Sequence, residues 1–99
     1  MTKVTLSSQA QETLLALRGS KQAERLSKAI DSVAASPYKG SNVKSLSGVP
    51  GGFRKRVGRF RILYTYVPNE LLVRIWIIDI EKDTKKDYRR WMEYILSQL

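Results

Sequence analysis

The chain has no cysteine and no histidine. Without cysteine there is no disulfide framework and no thiolate metal site, and the redox compartment stays undetermined. Without histidine the commonest metal ligand and the commonest proton shuttle near neutral pH are both missing. Whatever chemistry the protein performs, it performs without imidazole, and neither a metal nor a cofactor is expected. Residues 1–17 show no long apolar run behind a basic start, so no signal peptide is expected. The longest apolar stretches are far too short for a membrane span, and the reading is a soluble, cytoplasmic protein. Acidic residues are scarce as well, and none occurs from Leu46 through Asn69.

What the chain has in excess is positive charge. Eighteen Lys and Arg stand against nine Asp and Glu, a net charge of +9 over 99 residues. A small domain this basic commonly meets a polyanion: nucleic acid, a membrane surface or an acidic protein. The length suits one domain, residues 1–99, with a single core.

The pattern along the chain predicts an α+β fold. "KVTL" (Lys3 to Leu6) alternates as a short strand. Ser7 or Ser8 can cap a helix carrying Leu14 and Leu17, and Ser20 can cap a second one carrying Ala23, Leu26, Ile30 and Val33 at helical spacing. "SPYKG" stops that helix, and "SNVKSLSGVPGG" reads as a polar connection anchored by Val43 and Leu46. The period then changes to two. Phe53, Lys55 and Val57 share one face of a strand, with Arg54 and Arg56 on the other. "VGRF" offers a two-residue turn with Gly58 first, which suits type II′. The return strand sets Phe60, Ile62, Tyr64 and Tyr66 against Arg61, Leu63, Thr65 and Val67. "VPNE" is a further turn, and "LLVRIWIID" is apolar on both faces, as in a strand covered on both sides. The tail is helical, with Tyr88, Trp91, Met92, Ile95, Leu96 and Leu99 on one stripe. The predicted order is β-α-α-β-β-β-α, a small twisted antiparallel sheet with its helical layer on one face.

The basic hairpin is the unusual feature. A Gly58–Arg59 turn puts Val57 opposite Phe60, and therefore Arg56 opposite Arg61, with Arg54 one pleat, about 7 Å, further along. Like charges facing each other across a sheet are destabilising. Guanidinium forks match phosphate oxygens, and a phosphate between them converts the repulsion into charge-assisted hydrogen bonds. A solvated face with long arms covering apolar neighbours and an acidic protein partner are the competing readings. A second cluster, Lys82, Lys85, Lys86, Arg89 and Arg90, lies before and within the last helix.

The run "NVKSLSGVPGGFRKRVGRFRILYTYVPNELLVRIWIIDI…KKDYRR" resembles the RelE/ParE toxin superfamily, the toxin halves of bacterial type II toxin–antitoxin pairs. The shared features are the "V-K-x-L-x-G" lead-in, the aromatic-R-x-R-V-G turn, the "aromatic-R-I-L-Y" return strand, an apolar third strand and a late "D-Y-R". RelE-like members cut mRNA in the ribosomal A site, and ParE-like members poison DNA gyrase and lack the catalytic set. The resemblance to the RelE-like branch implies catalytic roles for Arg54, Arg56, Arg61, Lys82 and Tyr88. It implies RNA contacts from Lys55, Arg59, Lys85 and Lys86, and antitoxin contacts from Trp91, Met92 and Ile95. Lys82, Lys85 and Lys86 compete for one role, because the chain has "EKDTKKDY" where many relatives have a more compact, histidine-containing run. The implied partners are a cognate antitoxin, the ribosome and mRNA, with no membrane. The implied reaction is 2′-hydroxyl attack on the neighbouring phosphorus. Arginine cannot act as its base, so the protons fall to a lysine and Tyr88 while the arginines stabilise charge. A gyrase inhibitor without chemistry and a basic nucleic-acid-binding module are the alternative readings.

Overall fold

Local signals at both helix starts resolve to one serine each. A computed structural model describes residues 2–80 and 85–98, except for the side chains of residues 85–88. Ser7 caps α1 (Ser8–Ala16) by accepting from the Ala10 amide at 3.1 Å, and Ser20 caps α2 (Lys21–Ala35) by accepting from the Ala23 amide at 3.1 Å. The strands are β1 (Lys3–Leu6), β2 (Val43–Ser45), β3 (Gly52–Val57), β4 (Phe60–Val67) and β5 (Leu72–Ile80), and α3 covers Lys85–Gln98. They form one sheet in the order β1-β5-β4-β3-β2.

The predicted α+β class holds, with three differences in detail. β1 pairs with β5 in parallel, Lys3 opposite Leu72 through Leu6 opposite Ile75, so the sheet is mixed. Parallel neighbours need a long crossover, and the whole segment from α1 to β4 supplies it. Val43–Ser45, read as connection, is a short edge strand antiparallel to β3. The third difference concerns the helices. α1 and α2 pack on one face, where Leu26, Val33, Ile62, Tyr64 and Ile75 form the larger core. α3 lies on the other, where Ile95 is buried among Leu46, Leu63, Trp76 and Ile77. The two-sided apolar pattern of β5 requires this second cover, since full burial of each large aliphatic side chain contributes about 1.5–3 kcal/mol.

The β3–β4 hairpin has the expected register: Val57 faces Phe60 and Arg56 faces Arg61. Gly58 sits at φ +60, the first central position of a primed turn, and a β-carbon there would lie 3.1 Å from the Arg25 guanidinium of α2.

A β-bulge decides which way the end of β5 faces. Leu63 pairs with Ile77 but Tyr64 pairs with Ile75, leaving Trp76 as an extra residue. Trp76 and Ile77 consequently both pack on the α3 side, while Ile78 returns to the α1/α2 side. Uninterrupted alternation from Ile75 would turn residue 79 toward α1 and α2, and the bulge turns it the other way. Ser7 secures this slip: its amide donates to the Ile75 carbonyl and its hydroxyl to the Trp76 carbonyl. One step on, the Gln9 side chain accepts from the Ile78 amide at 3.0 Å and donates to the Ile78 carbonyl at 2.9 Å, which extends the pairing of β5 beyond the end of β1.

Tyr64 is fully buried and donates its phenol O–H to the Pro37 carbonyl at 2.5 Å. Burial pushes its pKa well above that of a free phenol. The folded state therefore keeps a proton that the unfolded chain loses above about pH 10. This contribution is complete below that pH and declines as pH rises, by up to about 1.4 kcal/mol per pH unit. Urea denaturation should show wild type weakening above about pH 10 more steeply than Tyr64→Phe, which at neutral pH costs about 1 kcal/mol for the lost hydrogen bond. Parallel pH profiles for the two proteins would contradict the assignment.

Candidate nucleic-acid interface

β3 and β4 deliver their arginines to the α3 side of the sheet. Arg54 lies opposite Leu63, a member of the α3-side core, and Arg56 lies opposite Arg61. The three predicted guanidinium residues thus share one face. Arg54 is half-buried and Arg56 is exposed, with its Nε–H donating to the Gly58 carbonyl at 3.4 Å. The register adds a fourth cation: Lys44 of β2 is exposed and directly opposite Arg54. Lys44 falls in a segment whose polar, glycine-rich composition reads as a connection, and the "V-K-x-L" alternation is the sequence signal of its strand. Two cross-strand pairs of like charge, Lys44–Arg54 and Arg56–Arg61, thus share one face of the sheet.

Arg61 differs from its neighbours. It is 2% exposed, and its Nε–H and Nη2–H donate to Oδ1 and Oδ2 of Asp79 at 2.8 and 3.0 Å. The fork-to-fork geometry is the strong form of the ion pair. Asp79 reaches it from β5, directly opposite in the register, because the Trp76 bulge faces it that way. The same Oδ2 accepts the indole Nε1–H of Trp91 at 2.8 Å, so the sheet and α3 meet on one carboxylate. Trp91 in turn packs edge-on against Tyr94, which packs edge-on against Trp76.

The other predicted residues divide. Lys55 falls on the opposite face, 8% exposed, and donates to the Ser41 carbonyl at 3.0 Å. Strand alternation sets it with Phe53 and Val57 toward α2, so it does not join the arginines. Arg59 is exposed at the hairpin tip, and Arg89 and Arg90 are exposed on α3. Lys82 lies outside the described residues. Lys85, Lys86 and Tyr88 belong to the first turns of α3, and their side chains lie outside the description. Of the expected antitoxin contacts, Ile95 is fully buried in the α3-side core, and Trp91 and Met92 are half-buried against it. With α3 docked, Ile95 has no surface to offer a partner. A cleft of about 660 Å³ on the far side, between α1 and α2, is lined by Leu6, Leu14, Leu15 and Arg18. Among the described residues no group of three or more His, Cys, Asp or Glu side chains could hold a metal ion, and no helix is long and apolar enough to cross a membrane.

Residues 4–84 match the family model described as ParE toxin of type II toxin-antitoxin system, parDE. No curated protein sequence matches the chain significantly. Solved structures do. The chain is similar to the isolated E. coli RelE toxin, with a TM-score of 0.71 at 20% identity over 96% of this chain and 99% of that one. It is also similar to a chain of the archaeal RelE–RelB complex from Pyrococcus horikoshii, with a TM-score of 0.72 at 18% identity over 84% and 98% of the two chains. The YoeB/ParE toxin from Agrobacterium tumefaciens gives a TM-score of 0.71 at 13% identity over 82% and 100%. Likeness at this level of identity shows a common fold.

The buried pair makes a stability prediction. Asp79→Leu removes the carboxylate that holds the buried Arg61 guanidinium and should cost about 3–5 kcal/mol in urea denaturation. Arg61→Leu introduced into that background should cost far less than it does in wild type. Additive losses in this double-mutant cycle would show that the two side chains are not coupled.

Proposed function

The chain belongs to the ParE toxin family of type II toxin–antitoxin systems, and from that premise we propose that it is a ribosome-dependent endoribonuclease that cleaves mRNA and halts translation. The observation that carries the reading is the shared basic face: Arg54 and Arg56 on β3 and Arg61 on β4, continued by Lys44 on β2. A net charge of +9 and the like-charge pairs of this face suit a polyanionic ligand, and the RelE-like fold supplies the scaffold.

In the proposed reaction the 2′-oxygen attacks the adjacent phosphorus as its proton is taken. The bond from phosphorus to the 5′-oxygen breaks, and that oxygen is protonated, leaving a 2′,3′-cyclic phosphate and a 5′-hydroxyl. Arg54, Arg56 and Arg61 stabilise charge developing on the non-bridging oxygens. Lys82, Lys85 or Lys86 acts with Tyr88 on the protons. Side chains alone carry this chemistry. Because the acid–base set is small, the ribosome positions the substrate, a contribution that can reach roughly 7–11 kcal/mol. The site of action is then the cytoplasm, and the partner is an antitoxin with an acidic or apolar segment; solved structures of similar fold include RelE bound to RelB. That partner contacts Trp91, Met92 and Ile95 by displacing α3. A gyrase-directed activity is the second reading, favoured by the ParE family model and by the engagement of Arg61 with Asp79.

Arg56→Ala is the informative variant, because Arg56 is exposed and its loss leaves the core intact. Primer extension on ribosome-bound transcripts should show cleavage falling by about 10²–10³ relative to wild type, by analogy with a lost oxyanion donor. Undiminished cuts at the same codons would remove Arg56 from the site. Double-strand DNA breaks without mRNA cuts would select the gyrase reading.

A further inference from the structure

Gly58, at the tip of the β3–β4 hairpin, gathers positive charge from both sides of the sheet. From the α3 side, Arg56 Nε–H donates to the Gly58 carbonyl at 3.4 Å. From the opposite side α2 sends Arg25, whose Nη2, Nη1 and Cζ lie 3.1, 3.3 and 3.4 Å from the point a β-carbon at Gly58 would occupy. The missing side chain leaves the room that this guanidinium fills. Arg59 follows Gly58 in the turn, and Arg25 and Arg59 are both exposed. Helix and turn thus set three arginines round one peptide unit.

The sequence around these elements brings them no carboxylate. No acid occurs from Leu46 through Asn69. The residues one helical turn from Arg25 are Lys21, Gln22, Lys28 and Ala29, which add positive charge only. Glu24, its neighbour in sequence, lines the cleft between α1 and α2 on another face of the helix. Among the described residues neither Arg25 nor Arg59 enters an ion pair. The apolar side of α2, with Leu26, Ala29 and Val33, is buried in the core, so at the tip the helix presents charge and no apolar face to a membrane.

We propose that Arg25 is a further RNA-binding residue: with Arg59 and Lys21 it carries the phosphate-binding surface round the hairpin tip, from the sheet face onto α2, and holds backbone phosphates beside the reacting one without joining the chemistry. The inference rests on the proposed function for its ligand. An acidic protein segment is the competing occupant. Contact with the face of Arg54 and Arg56, made through the bond from Arg56 to Gly58, favours RNA, since one strand can then lie on both.

Binding of the full chain to a labelled RNA oligonucleotide with 2′-O-methyl riboses, which cannot be cleaved, tests this across a range of salt concentrations. Arg25→Gln keeps a good helix former at an exposed position. It should lower the slope of log affinity against log salt by about 0.7, and weaken binding roughly fivefold at about 0.1 M salt, the contribution of one single-strand phosphate contact. Lys21→Gln added to it should lower the slope again. Lys3→Gln removes the same charge from β1, at the far edge of the sheet, and should leave the slope unchanged. On programmed ribosomes Arg25→Gln should raise the toxin concentration that gives half-maximal cleavage and leave the saturating rate at its wild-type value. A wild-type slope in Arg25→Gln overturns the proposal, as does an equal loss in Lys3→Gln, which would report net charge alone. Weaker binding of poly-glutamate with an unchanged RNA slope gives the surface to an acidic protein and overturns it as well. Wild type that binds the oligonucleotide with the predicted slopes but cuts no mRNA refutes the nuclease reading and leaves the RNA surface standing.

Discussion

Among the described residues, the carboxylate of Asp79 reconciles a buried guanidinium with an apolar interior. Removing an arginine from water costs several kcal/mol unless its charge is met by a well-oriented partner. Asp79 meets Arg61 through two charge-assisted bonds and Trp91 through a third. The carboxylate faces Arg61 only because β5 slips by one residue at Trp76. That slip is secured by the buried Ser7, whose hydroxyl and amide both donate into it. A serine at the start of the chain thus orients a charge pair on the opposite side of the sheet.

Much of this was legible in the order of residues, for reasons that can be named. Ser7 and Ser20 announce helix starts because their hydroxyls satisfy amides the helices leave open. The position of Arg56 opposite Arg61 follows from a period of two and a turn of two residues centred on Gly58. The placement of Lys55 away from Arg54 and Arg56 was visible in the same alternation, whereas its carbonyl partner at Ser41 depends on a loop that has no periodicity. The bulge left no trace. "LLVRIWIID" is apolar in both phases, so a slip of one residue changes no polarity until it reaches Asp79. The burial of Arg61 was hidden for the same reason, since its partner lies on another strand and only the bulge faces it toward the arginine. The parallel pairing of β1 and the strand at Lys44 depend on tertiary neighbours rather than on local pattern.

The scaffold and the chemistry are separately encoded. At 20% identity the backbone still follows that of the E. coli RelE toxin, because strand alternation, turn residues and helix caps tolerate wide substitution. Family membership speaks for a toxin, and the fold is common to proteins described as RelE, YoeB and ParE. What such a scaffold does is decided by the few side chains it displays. Here they are cations arranged across β2, β3 and β4, one of them folded into the core.

The side-chain amide of Gln9 occupies both backbone groups of Ile78, where β5 has run past its short neighbour. Exposed strand margins invite other extended chains to join them. A helix-borne amide that imitates a peptide unit denies that stretch to any intruder without adding a residue to the sheet. In an assembly where a second protein is expected to lie against this one, the guarded margin restricts where that protein can extend the sheet.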